Sequence, residues 1–162
     1  MAKRFVVGAV LAAVAVGAPT AVHAGKGKLE GFQEVPAIST TGQGKCTVKP
    51  VEGGLAVTLE YTGLKGSVTQ AHIHLGQPGV NGAIMFFICT NLGNGTAGTP
   101  ACPAAPGTVT RTIVPADIVG NAAQGLAAGD LPALQTALKK KATYCNVHTD
   151  LFSGGEIRAQ IK

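Results

Sequence analysis

The chain has 162 residues, with 13 Lys and Arg against 8 Asp and Glu for a formal net charge of +5, and aromatic residues make up only 4% of it. The length fits one domain. A mild charge and the lack of tryptophan offer nucleic acid neither a strong electrostatic footprint nor a stacking platform, so no nucleic-acid partner is expected.

The opening stretch, MAKRFVVGAVLAAVAVGAPTAVHA, joins a basic start at Lys3 and Arg4 to an apolar run of small residues over 5–18 and a Val-x-Ala ending at Ala24. This is the anatomy of a secretory signal peptide over 1–24, with cleavage expected before Gly25. Its removal takes away two positive charges and lowers the net charge to +3. The run is short for a membrane span, and no later segment approaches the ~20 apolar residues that a span needs. The expectation is a periplasmic or extracellular domain over 25–162 with no integral membrane span.

Within that domain, LAVTLEY over 55–61 alternates apolar and polar residues at period two, the mark of a half-buried strand, and glycines punctuate both ends. The same reading gives strands near 29–35, 44–51, 68–75, 83–89, 108–114, 143–149 and 156–161. Short strands at regular turn signals indicate an antiparallel β-sandwich or barrel. One helix interrupts them: Asp130 caps it, Pro132 sits in its first turn, and Leu131, Leu134 and Leu138 recur at helical spacing, so it reads as a crossover. The segment 115–129 before it reads as loop with a short helical turn near 116–119. Lys139-Lys140-Lys141 at the helix end reads as charge complementing the helix dipole.

All four cysteines, Cys46, Cys89, Cys102 and Cys145, lie in the exported part, and none forms a CxxC pair. An even count reads as two disulfides, for which four cysteines allow three connectivities. The Gly- and Thr-rich loop between Cys89 and Cys102 makes that pair the simplest bridge, leaving Cys46 with Cys145.

The histidines carry the chemistry. In QAHIHLG, His72 and His74 are two apart, so on a strand they share a face, with Ala71, Ile73 and Leu75 on the other. In YCNVHT, Cys145 and Val147 take the apolar face and Tyr144, Asn146 and His148 the opposite one. If the two strands are neighbours, three imidazoles converge on an external, solvent-reachable point that suits copper or zinc, both of which take nitrogen ligands readily. Asp150, at the parity of His148, is the candidate fourth ligand or an acceptor orienting a ring N–H, with Glu156 behind it. Arg158, on the polar face of the last strand, could pair with either acid and brace the site. No methionine lies near the histidines in sequence, which argues against a thioether-type copper(I) site. Against all this stands the plain alternative of strand histidines that only support hydrogen bonds.

Other chemistry finds little footing. Ser39, Ser67 and Ser153 lie in no nucleophile elbow, no Gly-rich phosphate loop leads a strand into a helix, and the acids are scattered, with Glu30 and Glu34 reading as solvated strand and turn residues.

LEGFQEVPAISTTGQG, AHIHLGQPGVNGAI and YCNVHTDLFSGGEIRAQI, in that order from about Leu29 to Ile161, resemble the successive motifs of the CHRD domain, first described in chordin and widespread in secreted bacterial proteins. The resemblance implies an all-β, antiparallel, immunoglobulin-like or Greek-key β-sandwich with one short crossover helix. The family pattern includes His72, His74 and His148 and the ending Gly155–Arg158. It departs at Ala159, where the family has Gly, and at Cys145, where it often has Val. The His-x-His pair also resembles that of Cu/Zn superoxide dismutase, although too few histidines are present for a dinuclear centre, and likeness of fold is not evidence of activity.

The reading is therefore a disulfide-stapled exported domain that binds a transition metal, copper before zinc, through His72, His74 and His148, with Tyr144, Asn146, Glu156 and Arg158 around them. Enzyme activity is not assigned. The alternatives are a structural, adhesive or partner-binding module at the cell surface and a mononuclear, dismutase-like copper redox enzyme.

Overall fold

Leu55, Val57, Leu59 and Tyr61 point inward from a strand over Gly54–Thr62, with Glu60 exposed between the last two, as their alternation predicts. That strand is β3 of eight in the computed structural model, which describes residues 24–162. The signal peptide expected at 1–24 thus lies, except for Ala24, outside the described residues. The others are β1 (Gly25–Glu30), β2 (Gln43–Val51), β4 (Val68–Leu75), β5 (Ile84–Thr90), β6 (Gly107–Ile113), β7 (Thr143–Thr149) and β8 (Ile157–Gln160).

All pairings are antiparallel and run through one sheet in the order β5-β4-β7-β8-β1-β2-β3-β6. The two ends of that order approach one another. Arg111 of β6 donates a hydrogen bond to the Phe87 carbonyl of β5 and forms a buried salt bridge with Asp117, so the sheet is nearly barrel-shaped. The architecture is all-β and antiparallel with a single short α-helix among the described residues; an immunoglobulin-like or Greek-key sandwich is a finer reading than this pairing carries. Leu29, Val48, Leu59, Ile73, Val147 and Ile157 are almost wholly buried inside the curl, and each such side chain contributes roughly 1.5–3 kcal/mol on leaving water.

The helix, α1 (Leu131–Lys139), begins where expected: the Asp130 carboxylate accepts from the Ala133 N–H at 2.9 Å, and Leu134, Ala137 and Leu138 are buried. It links β6, at one end of the sheet, to β7, third from the other. Two 3-10 turns, Pro115–Asp117 and Ala122–Gln124, precede it, where one near 116–119 was expected. The first strand also differs from the expected 29–35. It starts at Gly25, since Gly25 and Gly27 allow close packing on Ile161 and Ala159, and it ends at Glu30, where a 3-10 turn over Gly31–Gln33 bends the chain away. A GKGK run has no apolar period to reveal it.

Cys89 and Cys102 form the expected disulfide across the 90–101 loop. The second expected bridge is corrected: Cys46 and Cys145 are free thiols, both buried. They stand on β2 and β7 with β8 and β1 between them; Cys46 is paired with Gly27 and Cys145 with Ala159, and a Cβ on Gly27 would stand 2.7 Å from that of Ala159. Because those two residues are small, the thiols meet over them in the interior, where burial and contact with Cys46 push the Cys145 thiol well above its ordinary range.

The largest departure from expectation concerns the outer face of β4 and β7. All seven residues of β7 are buried, on both faces. Segments around 31–42, 76–83 and 150–156 fold over the face opposite the apolar interior and turn it into a second buried layer, a polar one.

Candidate metal centre

Strand alternation and register build the site together. His72 and His74 rise from β4 onto this covered face, and β7 lies next to β4 and supplies His148. Two cross-strand rows result: His72 beside Asn146 beside Arg158, and His74 beside Tyr144 beside Gln160. The three histidines can each offer one ring nitrogen, and these atoms lie within 4.8 Å of one another. The His72 and His148 ring centroids are 4.9 Å apart, and those of His72 and His74 5.3 Å apart.

The strands do converge as the sequence suggests, but not on an external point. His72 is 1%, His74 8% and His148 7% exposed. On its other side His72 meets the edge of Phe87 at 4.6 Å.

Hydrogen bonding fixes the tautomers. His74 Nδ1 is 2.9 Å from the Gly82 carbonyl oxygen, and His148 Nδ1 is 2.8 Å from that of Ser153. A carbonyl oxygen only accepts, so both Nδ1 atoms carry the hydrogen and both Nε2 atoms are acceptors with a lone pair. His72 Nδ1 lies 3.2 Å from His148 Nε2 and must donate to it. The His72 Nε2 lone pair is then left without a donor, as is that of His74, and both atoms are buried with no hydrogen-bond partner. A buried polar atom without a partner costs about 1–3 kcal/mol. Rings held by Nδ1–H on backbone carbonyls while Nε2 faces a common centre are what metal-ligating histidines show.

Electrostatics favours neutral rings. Burial, with His148 and His74 nearby, drives His72 down to about 2. Burial lowers His74 to about 4 against the opposing hydrogen bond to Gly82, and burial also lowers His148. At neutral pH the cluster therefore presents nitrogen donors rather than imidazolium ions.

Around the histidines lies a polar shell. Tyr144 stacks on His74, centroids 4.6 Å apart, and the Arg158 guanidinium lies 3.4 Å over the other ring partner, Tyr144. Arg158 is anchored on Asn81 Oδ1 at 2.9 Å and on the Val80 carbonyl at 2.7 Å. Asn146 donates to Glu34 Oε1 at 2.7 Å. Burial raises Glu34 to about 7, against the pull of Arg158 and of the Asn146 hydrogen bond. Gly155, at φ +125°, is a forced choice, because a Cβ there would stand 2.5 Å from Asn146 Nδ2 and 2.6 Å from Glu34 Oε1.

Of the residues singled out in the sequence, the structure gathers His72, His74 and His148, with Tyr144, Asn146 and Arg158 around them. Two others stand apart. Asp150 is exposed beyond the end of β7, and its carboxylate accepts from the Ser67 N–H at 2.8 Å. Glu156 is buried but holds loops together, accepting from Thr40 and Thr149 hydroxyls and the Lys65 and Gly66 N–H groups. Burial alone would raise its pKa, but these four bonds outweigh that and lower it. Glu34 corrects the expectation of a solvated turn residue: it is 7% exposed and bonded to Asn146. Sequence reasoning also missed Gly82, and it placed Gln160 on the polar face of the last strand without a role; the Gln160 amide donates to the Gly76 and Lys141 carbonyls. A glutamine at the parity of Arg158 was the available signal for that role.

The CHRD domain family model matches residues 26–161, nearly the whole described chain, and the protein belongs to that family. No curated protein and no solved structure matches it.

Proposed function

We propose that this CHRD-domain protein binds a transition metal, copper before zinc, through His72, His74 and His148, and acts as an exported metal-binding or metal-handling module. The observation that carries this reading is the pair of buried, unpartnered Nε2 atoms on His72 and His74 beside His148 Nε2, whose one partner is the His72 ring. A bound cation supplies what those lone pairs lack. Burial of all three rings supports holding a metal over turnover on it. The Cys89–Cys102 disulfide supports an oxidising compartment, periplasmic or extracellular. Among the described residues no helix is long and apolar enough to cross a membrane.

The test is calorimetric titration with copper and zinc of the protein and of a His72→Ala/His74→Ala variant. One equivalent bound by the first and none by the second is the expected result. Equal, weak binding by both would favour the second reading, a structural or partner-binding surface module. The His72–His148 hydrogen bond speaks for that reading, because it is a contact that a metal-free polar core would use.

A further inference from the structure

Resting on that reading of a metal centre, we infer that the site is matched to copper in its monovalent state, in preference to copper(II) or zinc(II). Among the described residues the cluster contains three histidines and no carboxylate or thiolate. Every anionic group that the sequence brings near is engaged elsewhere: Asp150 on the Ser67 N–H, Glu156 on Thr40, Thr149 and two backbone N–H groups, and Glu34 on Asn146. The thiols of Cys46 and Cys145 belong to the interior on the opposite face, as does the thioether of Met85.

The fixed charge whose field reaches the cluster is positive. Arg158 stacks on Tyr144, which stacks on His74, and its field reaches that ring. A dication held by three neutral nitrogens in this buried layer would carry two uncompensated charges beside a guanidinium, and burying charge without a counter-ion is costly. A monocation carries half that burden. Zinc(II) and copper(II) also seek a fourth ligand, which open sites draw from water or a carboxylate. Copper(I), which shares zinc's filled d shell but carries a single charge, is satisfied by three nitrogens without a fourth ligand.

The test is metal competition on the full protein. Copper(I) is titrated anaerobically against bicinchoninate, whose coloured copper(I) complex reports the free ion, and copper(II) and zinc(II) are titrated in parallel against chelators of known affinity. The expected result is one equivalent of copper(I), held at least about tenfold more tightly than either dication, as one extra unit charge near Arg158 implies. X-ray absorption of the copper(I) form should show three nitrogen neighbours. Copper(II) or zinc(II) bound one-to-one as tightly as copper(I) would overturn the inference and leave the metal centre standing. No stoichiometric binding of any of the three would remove both. An Arg158→Met variant gives an independent readout, since the margin between copper(I) and zinc(II) should shrink; an unchanged margin in a folded variant would refute the electrostatic part.

Discussion

His74 and Tyr144 lie face to face, with ring planes 4° from parallel, and both reach the same carbonyl, that of Gly82: His74 Nδ1 at 2.9 Å and the Tyr144 hydroxyl at 3.4 Å. The Gly82 N–H in turn donates to the Tyr144 hydroxyl at 3.1 Å. One loop residue thus sets both the tautomer of a histidine and the position of the ring stacked on it.

Gly82→Ala should therefore damage the site from a distance. A Cβ there would stand 1.6 Å from the Leu75 carbonyl oxygen, so the 76–83 loop must move and take its carbonyl away from His74. A loss of about 2–3 kcal/mol in denaturant unfolding is expected, together with weakened metal binding. Full stability and affinity in this variant would show that the carbonyl does not orient His74.

The metal-free protein should lose stability on acidification. The unfolded chain protonates its histidines near the ordinary 6.5, whereas the fold holds His74 at about 4 and His72 at about 2. The unfolded state therefore binds more protons, and unfolding free energy falls as pH drops from about 6.5 towards 4, by up to ~1.4 kcal/mol per unit for each histidine. Urea unfolding between pH 4 and 7 measures this, and a flat profile would contradict the burial of neutral rings.

Glu34 acts in the opposite sense. Its folded value of about 7 lies above the ordinary 4.5, so the stability it contributes is present below pH 4.5 and is lost as pH rises towards 7. Glu34→Gln removes that component while keeping an oxygen to accept from Asn146. The rise of stability with pH should steepen in the variant, and an unchanged slope would mean that Glu34 titrates as an exposed acid.

Much of the site was legible because strand parity is a rigid rule. His72 with His74, and His148 with Tyr144 and Asn146, followed from period two alone, and so did the inward Cys145 and Val147. What parity cannot report is what covers a face. The polar side of β7 read as exposed because its residues are polar, yet three loops bury it, and those loops have no period. The same blindness hid Glu34 and made Asp150 a ligand candidate, although the strand ends at Thr149 and parity lapses there. Pairing of β7 with β4, and closure of one sheet towards a barrel, are long-range facts that local patterns do not contain.

Asp150→Asn should leave metal affinity unchanged within about twofold, because the carboxylate serves the Ser67 N–H and stands outside the histidine cluster. A large loss of affinity would return Asp150 to the ligand set.

The two interior thiols give a chemical check on the fold. Cys46 and Cys145 are free and wholly buried, so the native protein should not react with a thiol reagent, while the unfolded protein should expose two thiols per chain. Two alkylations only after denaturation, counted by mass spectrometry, is the expected outcome. None at all would mean that the pair is cross-linked.

The most direct test of the central claim is anomalous diffraction from crystals of the protein loaded with one equivalent of copper, recorded at the copper edge. The account predicts a single strong peak within bonding distance of His74 Nε2, His148 Nε2 and one ring nitrogen of His72. A peak elsewhere, or none among the three histidines, would contradict it.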